Sequence, residues 1–145
     1  CLVNGHFENS WFIVEGIDLA LRELRWDGID DMKIVVLSYW DFVDAATIAR
    51  LYPNGFTGWD LEHGGVLETS LMMALHPELV EIERAIDHEP PSFPPYDVYP
   101  VKPEWTPPSG TLSSPREASP EKGEILLEVC TGGIVNALRA EFSVT

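Results

Sequence analysis

Three consecutive segments constrain this chain more than any other feature. Residues 1–3, CLV, read as the end of a buried strand. Residues 10–25, SWFIVEGIDLALRELR, set Phe12, Ile13, Ile17, Ala20, Leu21 and Leu24 on one face at helical spacing, with Glu15, Asp18, Arg22 and Arg25 opposite. Asn9 or Ser10 is placed to cap that helix, and WDGIDD at 26–31 turns the chain back. Residues 33–39, KIVVLSY, form a short, continuous apolar and β-branched run, as in a parallel strand covered on both faces. Strand, helix and strand in this order predict a right-handed βαβ unit. The fold class is therefore α/β, built on a parallel sheet.

The rest of the chain is more broken. Residues 44–52 suit a short helix stopped at Pro53, and NGFTGWDLEHGG, 54–65, is a glycine-rich loop. ETSLMMALH, 68–76, predicts a helix ending before Pro77, while LVEIERAI, 79–86, fits more than one structure. Ten of the twelve prolines lie between Pro90 and Pro120, together with Phe93, Tyr96, Tyr99 and Trp105. A disordered linker is poorer in aromatics, so this stretch is expected to be an ordered, extended arm lying on a surface, a neighbouring subunit included. Ser119, Pro120 and Glu121 supply a cap, a first-turn proline and a first-turn acid for a helix running to about 142. Its stripe is Ile125, Leu126, Val129, Cys130, Ile134, Leu138 and Phe142, and Gly132-Gly133 within it implies close packing. The 145 residues amount to one domain's worth of chain.

Composition removes several function classes. A formal charge of −15 repels phosphate backbones, which argues against a nucleic-acid partner. No run approaches the roughly 20 apolar residues of a membrane helix. Cys1 and Cys130 form no CxxC pair, so a structural zinc site is not expected and a reducing cytoplasm is.

In an α/β sheet, ligands bind beyond the carboxyl ends of the strands. NGHFEN, 4–9, falls there. Gly5 suits a turn, and in extended backbone His6 and Glu8 share a side. Imidazole nitrogen and carboxylate oxygen are good ligands for zinc or manganese; the alternative is a solvated turn in which Glu8 and Asn9 cap the next helix. Trp40, just after the second strand, belongs at the same edge, as packing or as a ligand face. The loop GWDLEHGG carries Trp59, Asp60, Glu62 and His63 between glycines. A flat ring beside a titratable imidazole suits a small planar polar ligand; otherwise Trp59 is tucked into a core. Glu68 opens a helix, where the dipole favours a carboxylate in any case. No GxSxG elbow supports a serine hydrolase, and neither His76 nor His88 has an evident role.

Together, NGHFENSWFIVEGIDLALRELRWDGIDDMKIVVLSYWDF, LYPNGFTGWDLEHGGVLETSLMMALHPELV, FPPYDVYPV and GTLSSPREASPEKGEILLEV resemble the creatininase family over nearly the whole chain. The resemblance implies a three-layer α/β/α sandwich with a parallel sheet, assembled as homohexamers. It implies hydrolysis of the cyclic amide of creatinine, reversibly, to creatine, with two divalent ions, Zn2+ and Mn2+. His6 then matches a ligand to one metal and Glu8 a ligand to the other, with Glu8 also near the reacting water. Trp40 and Trp59 match tryptophans that enclose the substrate, and Asp60 and Phe7 lie beside it. His63 matches the histidine that passes a proton to the ring nitrogen, and Glu68 a supporting glutamate. Phe7 stands where tyrosine is common in the family, so a backbone contact would survive there and a hydroxyl contact would not. The family's other metal ligands come from an N-terminal half that no region here resembles. The expectation is a C-terminal part of a creatininase domain, inactive as an isolated fragment, with an exposed sheet edge and apolar face. The rival readings are a family member acting on a formamide or peptide-like substrate, and a non-catalytic assembly fragment.

Overall fold

The structure, a computed structural model, describes residues 1–143. These fall into two compact units: residues 1–43 with the chain from Val129 onward, and residues 44–128.

In the first unit, strand β1 (Leu2–Asn4) pairs in parallel with β2 (Val36–Ser38), Leu2 opposite Val36 and Asn4 opposite Ser38. Helix α1 (Asn9–Trp26) connects them, giving the βαβ order. Both strands are shorter than the apolar runs suggest. Nor are they covered on both faces: Leu2, Val3 and Val36 are 44%, 54% and 42% exposed, and Leu37 alone is a buried apolar strand residue. Among the described residues the sheet has two strands, so each is an edge.

The capping of α1 also differs from expectation. Glu8 stands at the N-cap position in helical backbone and its side chain makes no cap bond. Asn9 and Ser10 are instead engaged by Asn4, whose amide exchanges hydrogen bonds with both. At the other end Gly28, at φ +80°, closes a Schellman motif: Ile29 N–H donates to Leu24 C=O and Gly28 N–H to Arg25 C=O. Ile13, Ile17, Leu21 and Leu24 are half-buried as the spacing predicts, whereas Phe12 is 77% exposed and Ala20 is exposed.

In the second unit, α2 (Ala45–Leu51) is capped by Asp44, whose carboxylate accepts Thr47 N–H at 2.7 Å. Helix α3 (Val66–Leu75) starts two residues before the predicted position. Residues 79–86 hold the end of one 3₁₀ turn, Pro77–Leu79, and a second, Ile82–Arg84. The proline-rich stretch is irregular, with a 3₁₀ turn at Pro103–Trp105 and Phe93 edge-on to Trp105 at 6.3 Å. Ser114 donates to Asp87 at 2.7 Å, and Arg116 donates both to Asp87 at 2.5 Å and to Ala85 C=O at 2.6 Å. The Ser114 hydroxyl, then Arg116, hold the Asp87 carboxyl below its ordinary range.

Helix α4 (Pro120–Phe142) begins in the second unit, where Ser119 Oγ accepts Lys122 N–H at 3.3 Å. There Leu126 and Ser70 are fully buried, and Gly123 lies against the backbone of Ser70. In the first unit, Gly133 of α4 faces the Phe42 ring, so the close packing inferred for the glycine pair belongs to Gly133, while Gly132 has open space. Cys1 is exposed and Cys130 buried, with no disulfide; burial pushes the Cys130 thiol up. Among the described residues no helix is long and apolar enough to cross a membrane.

Candidate functional site

The first unit builds its chemistry where β1 ends. Residues 6–8 do not continue the strand. Asn9 N–H donates to His6 C=O and Ser10 N–H to Phe7 C=O, both at 3.2 Å, so the chain turns directly into α1. This corrects the extended geometry expected for residues 6–8. His6 and Glu8 meet because the backbone folds back, with Nε2 to Oε2 at 2.9 Å and side chains 48% and 61% exposed. Gly5 is not sterically required, since an added Cβ would touch nothing within 4 Å. Phe7 is 61% exposed and edge-on to Trp11. Because the strands are parallel, the residues after β2 emerge at the same end of the sheet. They form a 3₁₀ turn, Tyr39–Phe42, in which Asp41 accepts Ser38 N–H at 2.8 Å and Trp40 stands half-buried, edge-on to Tyr39.

The second unit holds the loop. Trp59 begins a 3₁₀ turn, Trp59–Leu61, and is 43% exposed. It is not tucked into a core: its ring packs edge-on to Phe56 at 5.2 Å, and Phe56 packs on Tyr52 at 4.8 Å. Asp60 and His63 are exposed. The backbone around His63 is fixed on both sides. Its carbonyl accepts Leu112 N–H at 2.9 Å, and Gly64 N–H donates to Glu68 Oε2 at 2.5 Å. Glu68 thus binds loop backbone from the first turn of α3.

Glu62 is the residue in this loop whose place the sequence did not reveal. Its Oε1 accepts Leu67 N–H at 2.7 Å and its Oε2 accepts the Tyr52 hydroxyl. Burial pushes its carboxyl up, against the pull of those two hydrogen bonds, and the nearby Glu68 charge adds to the rise. A raised carboxyl stabilises the fold fully below the ordinary glutamate value of about 4.3, and that contribution fades as pH rises through the shifted value. Glu62→Gln stays neutral throughout. The unfolding free energy of the wild type, minus that of Glu62→Gln, is therefore expected to fall as pH rises from 4 to 7. Urea melts across that range test it; a difference flat in pH refutes it.

The structure joins His6 with Glu8, and groups Trp59, Asp60, Glu62, His63 and Glu68 on one loop and the helix after it. The His6–Glu8 pair has the donor chemistry of a zinc or manganese site. Among the described residues no group of three or more His, Cys, Asp or Glu gathers to hold a metal. The pair brings together two donors only.

Comparison with known proteins gives this geometry its context. Residues 1–138 match the creatininase family, described as creatinine amidohydrolase. A creatinine amidohydrolase from Pseudomonas putida is 67% identical over 145 residues, spanning 99% of this chain and 56% of that protein. A solved structure described as creatininase Mn is 68% identical with a TM-score of 0.93, over 97% of this chain and 55% of that one. A mutant creatininase of Zn-Zn type and another complexed with creatine are each 67% identical, with TM-scores of 0.92 and 0.91. Each covers 97% of this chain; this chain spans 55% and 56% of theirs. It therefore spans about half the length of the relatives it matches. The parallel βαβ unit, the motif at its carboxyl edge and the glycine loop occur in one sequence matched along nearly all of its own length, and the chain belongs to the creatininase family.

Proposed function

We propose that these residues are part of a metal-dependent amidohydrolase that opens the ring of creatinine to give creatine, and that they form the C-terminal part of a single creatininase domain. The observation that carries this reading is the His6–Glu8 pair at the end of β1, in a chain 67% identical to a creatinine amidohydrolase. Its remaining metal ligands lie outside these 145 residues, which are inactive by themselves. His6 and Glu8 would hold zinc or manganese, which would supply Lewis acidity. Metal choice follows the relatives described as Mn and Zn-Zn types.

The chain's own residues do the rest. Glu8 takes a proton from the attacking water as oxygen bonds to the carbonyl carbon. The carbon–nitrogen bond breaks, and the His63 imidazolium delivers a proton to the departing ring nitrogen. Trp40 and Trp59 present flat apolar faces to a planar ring and exclude water. Phe7 offers only its backbone and ring, and Asp60 a polar contact. Glu68 supports His63 through the Gly64 amide. The exposed Tyr96, Tyr99 and Val101 are the surface through which the protein assembles, as a hexamer in this family reading. Two thiols without a disulfide agree with a cytoplasmic location.

The test is metal content and creatinine hydrolysis, side by side, on the 145-residue chain and the full-length protein. The expected result is about two divalent ions and creatinine turnover in the full-length protein only. Metal binding with turnover of a formylated aminopyrimidine in place of creatinine would move the substrate elsewhere in the family. No metal in either protein would end the reading.

A further inference from the structure

The side chains of His6 and Glu8 are 48% and 61% exposed, and the turn that carries them sets where each leaves the backbone. That turn hangs on Asn4. Its side chain is the buried polar group at the carboxyl end of β1, 3% exposed. Oδ1 accepts His6 N–H at 3.1 Å and the Asn9 amide at 3.3 Å, while Nδ2 donates to Ser10 Oγ at 3.3 Å and Ser38 Oγ at 3.4 Å. A carboxamide has two acceptor lone pairs and two donor hydrogens, and all four are used. These bonds join β1, β2, the start of α1 and the backbone of His6 itself.

We propose that Asn4 is the positioning residue of the His6–Glu8 pair. It sets the angle at which the imidazole leaves the strand end, and so the metal affinity, without touching the metal; this rests on the metal reading above. Residues that orient ligands through hydrogen bonds typically contribute about 10- to 100-fold in metal affinity. A solvated turn would need no such saturated, buried anchor.

The experiment uses the full-length protein, with Co2+ titrated by its visible absorption and Zn2+ affinity measured by chelator competition. His6→Ala is the reference for the metal reading. Asn4→Ala is expected to weaken both metals about 10- to 100-fold and to alter the cobalt spectrum. Asn4→Asp keeps the acceptor facing His6 and is expected to lie nearer wild type. Ser10→Ala frees one amide proton, and about a threefold loss is expected, a fraction of one neutral hydrogen bond. Should Asn4→Ala fail to fold, Asn4→Asp and Ser10→Ala decide. A purely structural role lowers the melting temperature and leaves affinity and spectrum alone. Wild-type affinity in the Asn4 and Ser10 variants, with metal lost in His6→Ala, overturns the proposal alone. Wild-type affinity in His6→Ala overturns the metal reading and the proposal with it.

Discussion

Replacing His6 with alanine in the full-length protein is expected to slow creatinine hydrolysis by about 1,000-fold or more. Lewis-acid stabilisation of a developing oxyanion is worth several kcal/mol, and each 1.4 kcal/mol or so is a factor of ten in rate. Losing about 4 kcal/mol gives roughly that factor. Glu8→Gln is expected to fall as far, because an amide neither takes the proton from water nor carries charge to a cation. Thermal stability separates this from the rival reading. If Glu8 served only as a helix cap, its loss would cost about 0.5–2 kcal/mol of stability and leave the rate alone. Glu8 makes no side-chain cap bond, so the expected pattern is a collapsed rate with the melting temperature of the metal-free protein unchanged. The reverse pattern would return the motif to a turn.

The second large effect runs against helix propensity. Gly123 lies inside α4, where replacing glycine by alanine ordinarily gains about 1 kcal/mol. Here the added Cβ would collide with the carbonyl oxygen of Ser70 and come within 2.7 Å of the Ala74 Cβ. A backbone carbonyl in a neighbouring helix cannot swing aside like the end of a long side chain, and overpacking of this kind costs about 1–3 kcal/mol or more. Gly123→Ala is expected to destabilise by about 2 kcal/mol net, read from urea unfolding. Gly132→Ala is the matched control. Its Cβ would meet nothing within 4 Å, so it should stabilise by about 1 kcal/mol. Equal and favourable shifts at both positions would show that Gly123 is not held by contact.

Those two glycines mark the limit of what could be read beforehand. Periodicity located α1 and α4, and proline with its cap located the start of α4, because these are properties of neighbours in sequence. The paired glycines at 132 and 133 imply close packing, yet of the two only Gly133 is crowded; Gly123, with no sequence mark, meets the Ser70 backbone. In the strands the apolar run alone predicts cover on both faces, while the exposed sheet edge and apolar face also expected are what the structure shows. An apolar run shows which residues seek cover, not whether other residues of the same chain supply it, and Leu2, Val3 and Val36 stay exposed. At the candidate site the residue types were legible and their geometry was not. His6 and Glu8 meet across a turn and not along a strand. Asn4 and Tyr52 looked like ordinary residues at the end of an element, and Glu62 like one more acid in an acidic loop. Their importance lies in partners up to 34 residues away, such as Ser38 for Asn4.

The turn carrying Trp59 has a handedness of its own. Gly58 stands at φ +111° and ψ +155°, and a Cβ there would find open space. That region is closed to left-handed amino acids by their own backbone, not by any neighbour. Its mirror image, φ −111° and ψ −155°, borders the extended region of an L-residue, so a D-residue can enter it where an L-residue cannot. Mutation through the genetic code, which offers L-residues and glycine, leaves this position almost no room to drift. Chemical synthesis has no such restriction: D-alanine at 58 would keep the shape of the turn and remove some freedom from the unfolded chain. Evolution at this point of the loop is limited by chirality rather than by crowding.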